Sequence, residues 1–379
     1  MAGPVLSRVG VGVILLGAAF GYAAGVVGPA AAPVSSDFDV SLGEAGLMTS
    51  VFFIAMALFQ LFGAPAEERI GIPRSARLAA VFMGFGGVIS AVSPWFAALL
   101  AGRALAGLGT GIALIACPVI ARALRSALLL GVYGGGITTG LALSLFVGGE
   151  LAEAGVDWRV NFGISAAIGF AALPFLFGRM PAIEPMRRVG SAGVKRLLRS
   201  WSFYRADLLF IFVNAIPVVL GAWLIPYLDR HHGIAAGVAG ALGFVLFAAQ
   251  TVARPLSAKV GVSSTSRLLL STVGPALAAV AILALALDRT TGIAAVAIVA
   301  LGLGFGAPYA VAYQRIENQV EGNPEVGLAV GFQGVNLAAI VVTPIVGTAL
   351  EHGYGKLSFV LLAAFCALTG LANLTRRAG

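Results

Sequence analysis

Long apolar stretches with almost no charge divide this chain, and they restrict its possible folds more than any other feature. A helix needs about 20 apolar residues to cross roughly 30 Å of hydrocarbon. Only 11% of the 379 residues are charged, against about 25% in soluble domains. The sequence therefore predicts an all-α polytopic membrane protein. Its twelve predicted spans are residues 9–31, 44–66, 77–97, 98–122, 127–150, 158–178, 206–228, 236–259, 266–287, 292–315, 326–349 and 355–375.

A basic segment separates the first six spans from the last six. Residues 179–205 carry seven lysines and arginines against the single acid Glu184. This pattern predicts a cytoplasmic linker at 179–205, an N-terminal six-helix bundle at 1–178 and a C-terminal six-helix bundle at 206–379. The net charge of +8 lies mostly in loops, so it indicates topology control at an anionic leaflet rather than a nucleic-acid partner.

Lysine and arginine are distributed unequally between the two sets of loops. With the N-terminus inside, 18 of the 24 fall on the inner side and 4 on the outer side. Cytoplasmic loops of membrane proteins carry this excess of positive charge. Both termini are therefore predicted to be cytoplasmic, in a multi-pass protein of a bacterial cytoplasmic (inner) membrane.

The two halves also match each other, which indicates an internal repeat. Residues 60–71 match residues 250–261 at an offset of 190, with glutamine, proline and glycine coinciding. Glycines of the fourth and fifth spans recur six spans later. The matched pairs are Gly107 with Gly302, Gly109 with Gly304, Gly111 with Gly306, Gly131 with Gly331 and Gly134 with Gly334. Parallel repeats of this kind are typical of transporters whose halves enclose a central site.

Three motifs resemble the major facilitator superfamily. Residues 64–74 read Ala-Pro-Ala-Glu-Glu-Arg-Ile-Gly-Ile-Pro-Arg, similar to a signature of the family, although glutamate stands where aspartate is usual. Arg103 with the glycines of 107–111 resembles its arginine-plus-glycine motif, and Asp-Trp-Arg at 157–159 its entry to the sixth span. The resemblance implies two parallel six-helix bundles working by alternating access. Gating and structural roles are expected for Glu68, Arg69 and Gly71.

Arg103 and Arg254 lie inside predicted spans, and no acid lies near a span centre. Charge at that depth is costly, and a guanidinium binds carboxylate-like or nitrate-like anions through its planar fork. Residues 253–255, Ala-Arg-Pro, also resemble monocarboxylate transporters and nitrate/nitrite porters, although Gln60 and Gln250 replace an arginine and an acid of those families. The alternative is structural: Arg254 extends to the inner surface and Arg103 bonds backbone carbonyls.

Other polar and aromatic residues lie on spans expected to line a cavity. Prolines beside Asn214 and Tyr309 predict helix breaks where such a cavity forms. The substrate-binding candidates are Arg103, Arg254, Tyr22, Asn214, Trp223, Tyr227, Gln250, Tyr309, Tyr313, Gln333 and Asn336.

These features predict a secondary transporter that moves a small organic or inorganic anion. The alternative is a proton-driven exporter of drugs or other lipophilic compounds, because the interior is broadly apolar and the fourth-span motif resembles drug antiporters. A receptor or scaffold without transport is a third class. No nucleophile–base pair, metal cluster or phosphate loop occurs at a plausible spacing, so no enzyme, cofactor or metal is expected.

The expected partners are a small-molecule substrate, a coupling proton and the lipid bilayer. A monomer is expected, because one chain already contains both halves. The cysteines, Cys117 and Cys366, fall in apolar runs and are expected to pack in the interior.

Overall fold

The computed structural model describes residues 4–178, 194–195, 197–260, 263–320 and 324–374. Every regular element in these ranges is helical. The α-helices are α1 (Arg8–Gly25), α2 (Val27–Phe38), α3 (Leu42–Ala45), α4 (Leu47–Phe62), α5 (Ala64–Ile70), α6 (Ile72–Ala91), α7 (Phe96–Ala123), α8 (Ala127–Glu153), α9 (Arg159–Ala172), α10 (Trp201–His232), α11 (Ala236–Val260), α12 (Ser264–Leu287), α13 (Thr291–Gly306), α14 (Tyr309–Glu317), α15 (Pro324–Glu351) and α16 (Gly355–Leu374).

Within the described residues, eleven segments are helices long and apolar enough to cross a bilayer. They coincide with eleven of the predicted spans. The other prediction, 77–97, corresponds to α6, a helix of 20 residues. It begins at Ile72 and so adds Arg74 to the Arg77 that the predicted stretch already contains, which makes the helix less apolar than that stretch.

Most of the predicted linker, residues 179–193, lies outside the described residues. Its last residues are helical, because α10 begins at Trp201 rather than at residue 206. The first predicted span also continues further than its apolar run, since α2 carries it to Phe38.

The two predicted proline breaks have different outcomes. Pro308 separates α13 from α14, as predicted. The break predicted at Pro217 is wrong, because α10 continues through it. Proline removes the N–H that would bond the carbonyl four residues earlier. Here that carbonyl, of Val213, accepts a hydrogen bond from Nε2 of Gln250 at 3.2 Å, so a side chain of α11 replaces the missing donor.

The glycines of the fourth and tenth predicted spans make equivalent contacts, which supports the repeat. A methyl group on Gly107 would overlap the carbonyl oxygen of Phe52 in α4, and one on Gly302 would overlap that of Leu246 in α11. Gly111 and Gly306 make the next such pair along the same two helices. Close backbone approach of this kind is how helices associate in lipid.

These contacts also correct the predicted register of the repeat. Gly111 lies against Met56 and Gly306 against Gln250, so α4 and α11 correspond at an offset of 194. The sequence match between residues 60–71 and 250–261, at an offset of 190, therefore differs by about one helical turn from the correspondence of α4 and α11 in the structure. In the corrected register Gln60 corresponds to Arg254.

Helices of the N-terminal half contact helices of the C-terminal half in three main interfaces. These are α2 against α10, α3 and α4 against α15, and α8 against α11. The remaining extensive contacts join α1 with α8, α4 and α6 with α7, and α6 with α9 among the N-terminal helices. Among the C-terminal helices they join α11 and α12 with α13, α12 with α16, and α10 with α15.

Candidate substrate site

Arg103 lies on α7 with only 2% of its surface exposed. Its Nε donates to the carbonyl oxygen of Met48 at 3.1 Å, and its Nη1 donates to that of Ala23 at 2.7 Å. The guanidinium also lies 4.5 Å from the ring centroid of Phe52, within range of a cation–π interaction. This is the structural alternative considered above: Arg103 connects α7 to α1 and α4.

Three aromatic candidates are held in packing contacts. The Tyr22 hydroxyl donates to an asparagine side chain of α9 at 2.6 Å. Trp223 donates from Nε1 to a backbone carbonyl oxygen of α15 at 2.8 Å. The ring of Tyr227 stacks on Phe359 with a centroid separation of 3.7 Å. All three side chains are buried, and their polar atoms already have partners within the protein.

The C-terminal helices bring four of the predicted residues together. The guanidinium of Arg254 lies 4.0 Å from the ring centroid of Tyr309. Tyr309 and Tyr313 have centroids 4.5 Å apart, because residues four apart share one face of α14. The Tyr313 hydroxyl donates to Oδ1 of Asn214 at 3.4 Å. Arginine, two phenols and an amide thus form a continuous polar and aromatic group, here called the tyrosine cluster.

A second group of side chains, here called the amide cluster, joins α4 to α15. Oε1 of Gln60 accepts from Nδ2 of Asn336 at 2.9 Å, and Nε2 of Gln333 lies 3.5 Å from the same oxygen. Phe332 connects the two clusters, since its ring centroid lies 6.3 Å from that of Tyr313. The two clusters are therefore neighbours, one of them crossing between the halves.

Two buried amide oxygens near these clusters accept no hydrogen bond from the described residues: Oε1 of Gln250 and Oδ1 of Asn336. Both residues are 1% exposed. Their amide orientations are set by the hydrogen bonds of their nitrogens, since Nε2 of Gln250 donates to a carbonyl oxygen and Nδ2 of Asn336 to Gln60. A buried acceptor without a donor is costly. The arrangement therefore offers two acceptor positions to hydroxyl or N–H donors.

At one end of the molecule, here called the closed end, the halves pack backbone to backbone. A methyl group on Gly28 would overlap the carbonyl oxygen of Gly221, and one on Gly149 would lie 2.9 Å from the Cα of Gly240. The hydroxyl of Ser50 donates to the carbonyl oxygen of Ile340 at 2.7 Å. That carbonyl is the one freed by Pro344 four residues later.

Two glutamates also join the halves at the closed end. Glu153, at the end of α8, accepts from the N–H of Gly237 at the start of α11 at 2.7 Å. Glu351, at the end of α15, accepts from the N–H of Leu42 at the start of α3 at 3.1 Å. Each carboxylate caps a helix of the opposite half, where the helix dipole favours negative charge. The pair, here called the glutamate caps, therefore stabilises closure of this end.

Away from the closed end, α8 and α11 pack less closely against each other. Among the described residues, the hydrogen bond between α8 and α11 that lies furthest from the closed end joins the hydroxyls of Thr251 and Thr138 at 2.7 Å. Gly131 lies about five helical turns before Gly149 and so on the same face, yet a methyl group there would meet no atom of the described residues within 4 Å. The same holds for Gly134 and Gly135. The interface between α8 and α11 is thus tight near Gly149 and open near Gly131.

The predicted gating loop contains a buried acid. The side chain of Glu68 lies outside the described residues, Arg69 is exposed, and Gly71 has a φ of 84° that favours glycine. The neighbouring Glu67 is only 3% exposed, and neither carboxylate oxygen has a hydrogen-bond partner among the described residues. Burial raises the pKa of Glu67 to about 8.

The Asp-Trp-Arg motif fastens α9 to the end of α2. Arg159 donates to Oδ2 of Asp37 at 2.7 Å, and Nε1 of Trp158 donates to the same oxygen at 3.1 Å. These two hydrogen bonds hold the pKa of the Asp37 carboxyl below its ordinary value.

Sequence reasoning missed two features near the clusters. Gln60 was set aside as a departure from anion porters, yet it is the acceptor at the centre of the amide cluster. Asp207 lies next to the start of the predicted span 206–228 and was not among the candidates, yet it is 7% exposed and enclosed by helices. An alignment of the two halves at an offset of 194 pairs Gln60 with Arg254, and this match is a sequence signal for Gln60. The burial of Asp207 has no such signal, because it depends on packing against α15.

Comparisons with known proteins agree on the fold and the family. A family model described as Major Facilitator Superfamily matches residues 13–332. The structure of a D-xylose-proton symporter matches with a TM-score of 0.80 and 17% identity over 97% of each chain. A bacterial homolog of the human lysosomal transporter Spinster, inward-facing and occupied, has a TM-score of 0.80 and 19% identity over 98% of this chain and 97% of that one. At these identities the likeness concerns the fold.

Curated relatives match part of the chain. Probable plastidic glucose transporter 2 of Arabidopsis thaliana is 33% identical over 153 residues, which are 38% of this chain and 31% of that protein. Myo-inositol transporter 2 of Schizosaccharomyces pombe is 29% identical over 167 residues, 42% of this chain and 30% of that protein. Efflux pump hmp6 of Hypomyces subiculosus is 29% identical over 167 residues, 41% and 28% respectively. The matches thus span about a third of each relative's length.

Proposed function

The chain belongs to the major facilitator superfamily, and on that premise we propose that it transports a small hydroxylated solute, such as a sugar or polyol, by alternating access. It is a multi-pass membrane transporter and not an enzyme. The observation that carries the proposed substrate class is the pair of unpaired acceptors, Oε1 of Gln250 and Oδ1 of Asn336. Solute hydroxyls would supply the donors that these oxygens lack, and relatives named as glucose, polyol and inositol transporters fit the same class.

The tyrosine cluster supports the same substrate class. Ligand sites combine aromatic walls with a few polar groups that determine orientation. Tyr309 and Tyr313 provide the aromatic surface, and Asn214 offers an amide that both donates and accepts. Because Gln60 and Asn336 belong to different halves, a solute bound there would contact both, as alternating access requires.

A small anion is the second candidate, favoured by Arg254 on the ring of Tyr309. The original prediction counted two intramembrane arginines, but Arg103 is engaged by backbone carbonyls. The unpaired acceptor oxygens of Gln250 and Asn336 also oppose an anion, since they present partial negative charge. Arg254 alone therefore supports this candidate.

The mechanism we propose uses two helical bundles, at 1–178 and 206–379, joined by the linker at 179–205. The bundles contain twelve spans when α6 is included. With the termini in the cytoplasm of a bacterial cell, the closed end faces outward. The conformation is then closed to the outside, and the open stretch of α8 near Gly131 faces the cytoplasm.

Transport by purified protein in proteoliposomes tests the proposal. The panel is D-xylose, D-glucose, myo-inositol, L-lactate, nitrate and tetraphenylphosphonium. We expect flux of a hydroxylated solute that is lost in Asn336→Leu, which keeps the side-chain volume, and is retained in Gln314→Leu, which removes an exposed amide.

Other results would point elsewhere. Flux of lactate or nitrate that disappears in Arg254→Gln would overturn the sugar proposal in favour of the anion. Flux of tetraphenylphosphonium alone would identify an exporter of lipophilic compounds. No flux of any compound with a folded protein would indicate a receptor or scaffold.

A further inference from the structure

Asp207 is a buried carboxyl group that neither cluster uses. It lies on α10 two turns after the helix begins, with 7% of its surface exposed. Its carboxyl group faces two glycines of α15. A methyl group on Gly334 would overlap Oδ2 and come within 3.2 Å of Oδ1, and one on Gly331 would lie 3.4 Å from Oδ1. The absence of side chains at these two positions creates the slot that the carboxyl group occupies.

The slot is not a general feature of the repeat. Gly131 and Gly134 match Gly331 and Gly334 in the sequence, but a methyl group on either would meet no atom of the described part of the chain within 4 Å. The N-terminal half thus has the glycines without an acid against them. The pairing of an acid with the glycine face is therefore specific to α10 and α15.

The walls of the slot are apolar. Phe210 and Ile316 both lie 3.3 Å from the position of a methyl group on Gly331, beside Oδ1. Oδ1 of Asp207 has no hydrogen-bond partner among the described residues. An ionised carboxylate in such surroundings is costly, whereas the protonated acid carries no charge.

The nearby cations are engaged elsewhere. On α10 itself, Arg205 donates to the carbonyl oxygen of Ala372 at 2.7 Å. On α14, Arg315 donates to Ser271 at 3.0 Å and also to Asn373.

Further ionisable groups lie on the helices packed around α10. Tyr313 and Glu317 are on α14, and Arg254 on α11 lies over Tyr309. Glu325 on α15 has a side chain outside the described residues. No described cation therefore forms an ion pair with Asp207.

We propose that Asp207 binds a proton in this conformation and exchanges it when α15 moves relative to α10. The inference rests on the proposed transport function, because it makes Asp207 the site of the coupling proton. Protonation permits the close contact with Gly334, and ionisation requires water to enter the slot, which separates the two helices. The same α15 carries Asn336 of the amide cluster and contacts the N-terminal half through Ile340, so its movement connects the proton to the solute and to the closed end.

A proton fits the slot better than sodium. Hard cations require several oxygen ligands, whereas the atoms that meet a methyl group on Gly331 beside Oδ1 are a ring carbon of Phe210 and a methyl carbon of Ile316. Among the described residues no group of three or more His, Cys, Asp and Glu side chains is placed to hold a metal ion.

Infrared titration of the purified full-length protein tests proton binding without a known solute. In a Glu67→Gln background, which removes the other buried carboxyl group described above, we expect a carboxylic-acid C=O band that persists at neutral pH, disappears on alkalinisation and is absent when Asp207→Asn is added. Gly334→Ala displaces the carboxyl group and should move the titration to lower pH. Gly331→Ala, with an ordinary contact to Oδ1, is the matched control and should move it less. If Asp207→Asn does not fold, the two glycine variants still provide the comparison.

Spin labels at the exposed positions Ser202 and Ala329, with Cys117 and Cys366 replaced by alanine, test the movement of α10 against α15. We expect their distance to lengthen at alkaline pH in the otherwise native chain and to be independent of pH in Asp207→Asn. A band that is absent at neutral pH or unchanged in Asp207→Asn would overturn the proposal. So would a titration that sodium displaces at constant pH, or a distance change that survives the substitution. Failure of the solute panel with the band present would reject the hydroxylated substrate and leave the proton site standing.

Discussion

Removal of the two glutamate caps should open the closed end. Glu153 and Glu351 each accept one backbone N–H at the start of a helix in the opposite half, at 2.7 and 3.1 Å. Loss of such a cap costs about 1 kcal/mol. The two caps share no residue, so their effects should add to about 2 kcal/mol. That free energy corresponds to a shift of about 30-fold in the equilibrium between closed and open states.

The assay is a distance measurement across the closed end. Spin labels at Val156 and Tyr354, exposed by 37% and 62%, belong to opposite halves. The double variant Glu153→Ala, Glu351→Ala should populate a longer distance, and each single variant should produce about half the change in free energy. Glu44→Ala is the matched control, because Glu44 accepts from the Ser41 N–H at 2.7 Å within one half.

Two results would refute this reasoning. An unchanged distance distribution in the double variant would show that glycine packing alone holds the end closed. A shift of equal size in Glu44→Ala would show that the effect comes from fraying of helices rather than from contact between the halves.

Three further predictions follow from single residues. Arg103→Gln removes hydrogen bonds to α1 and α4, each worth about 1.5–3 kcal/mol for a charged group. Thermal unfolding should therefore occur at a lower temperature, while the preference among transported solutes is unchanged. An altered preference would place Arg103 in the substrate site. Because burial raises the pKa of Glu67 from 4.5 to about 8, the folded protein binds the proton more tightly, so stability should fall as pH rises between these values, and Glu67→Gln should abolish that part of the pH dependence of the melting temperature. Gly107→Ala should impair folding, because its methyl group overlaps a carbonyl oxygen of α4, whereas Gly131→Ala should express and melt like the parent.

The substrate site shows how packing changed the meaning of residues recognised in the sequence. Arg103 and Arg254 have the same charge and both lie in spans, so their sequence contexts did not distinguish them. Arg103 meets two backbone carbonyl oxygens and an aromatic ring, whereas Arg254 lies over Tyr309 beside the tyrosine cluster. The difference depends on which neighbouring helices place acceptors within reach of each guanidinium.

The two prolines likewise show that sequence context alone does not determine secondary structure. Pro308 and Pro217 each remove a backbone donor, and each was expected to break a helix. Only Pro308 does so, because the carbonyl freed by Pro217 is bonded by Gln250 from another helix. No local pattern around Pro217 contains that information.

The sequence by itself determined the membrane-spanning helical architecture, the family and the repeat. Apolar length, glycine spacing and charged loops are local properties, and the bilayer selects for them directly. Only the tertiary structure decided that α4 and α11 correspond at an offset of 194, that Gln60 and Asn336 meet across the halves, and that Asp207 fits against Gly334. These facts depend on the rotation of each helix about its axis and on its neighbours. Atoms far apart in the chain set both, so the pattern of residues along one helix does not contain them.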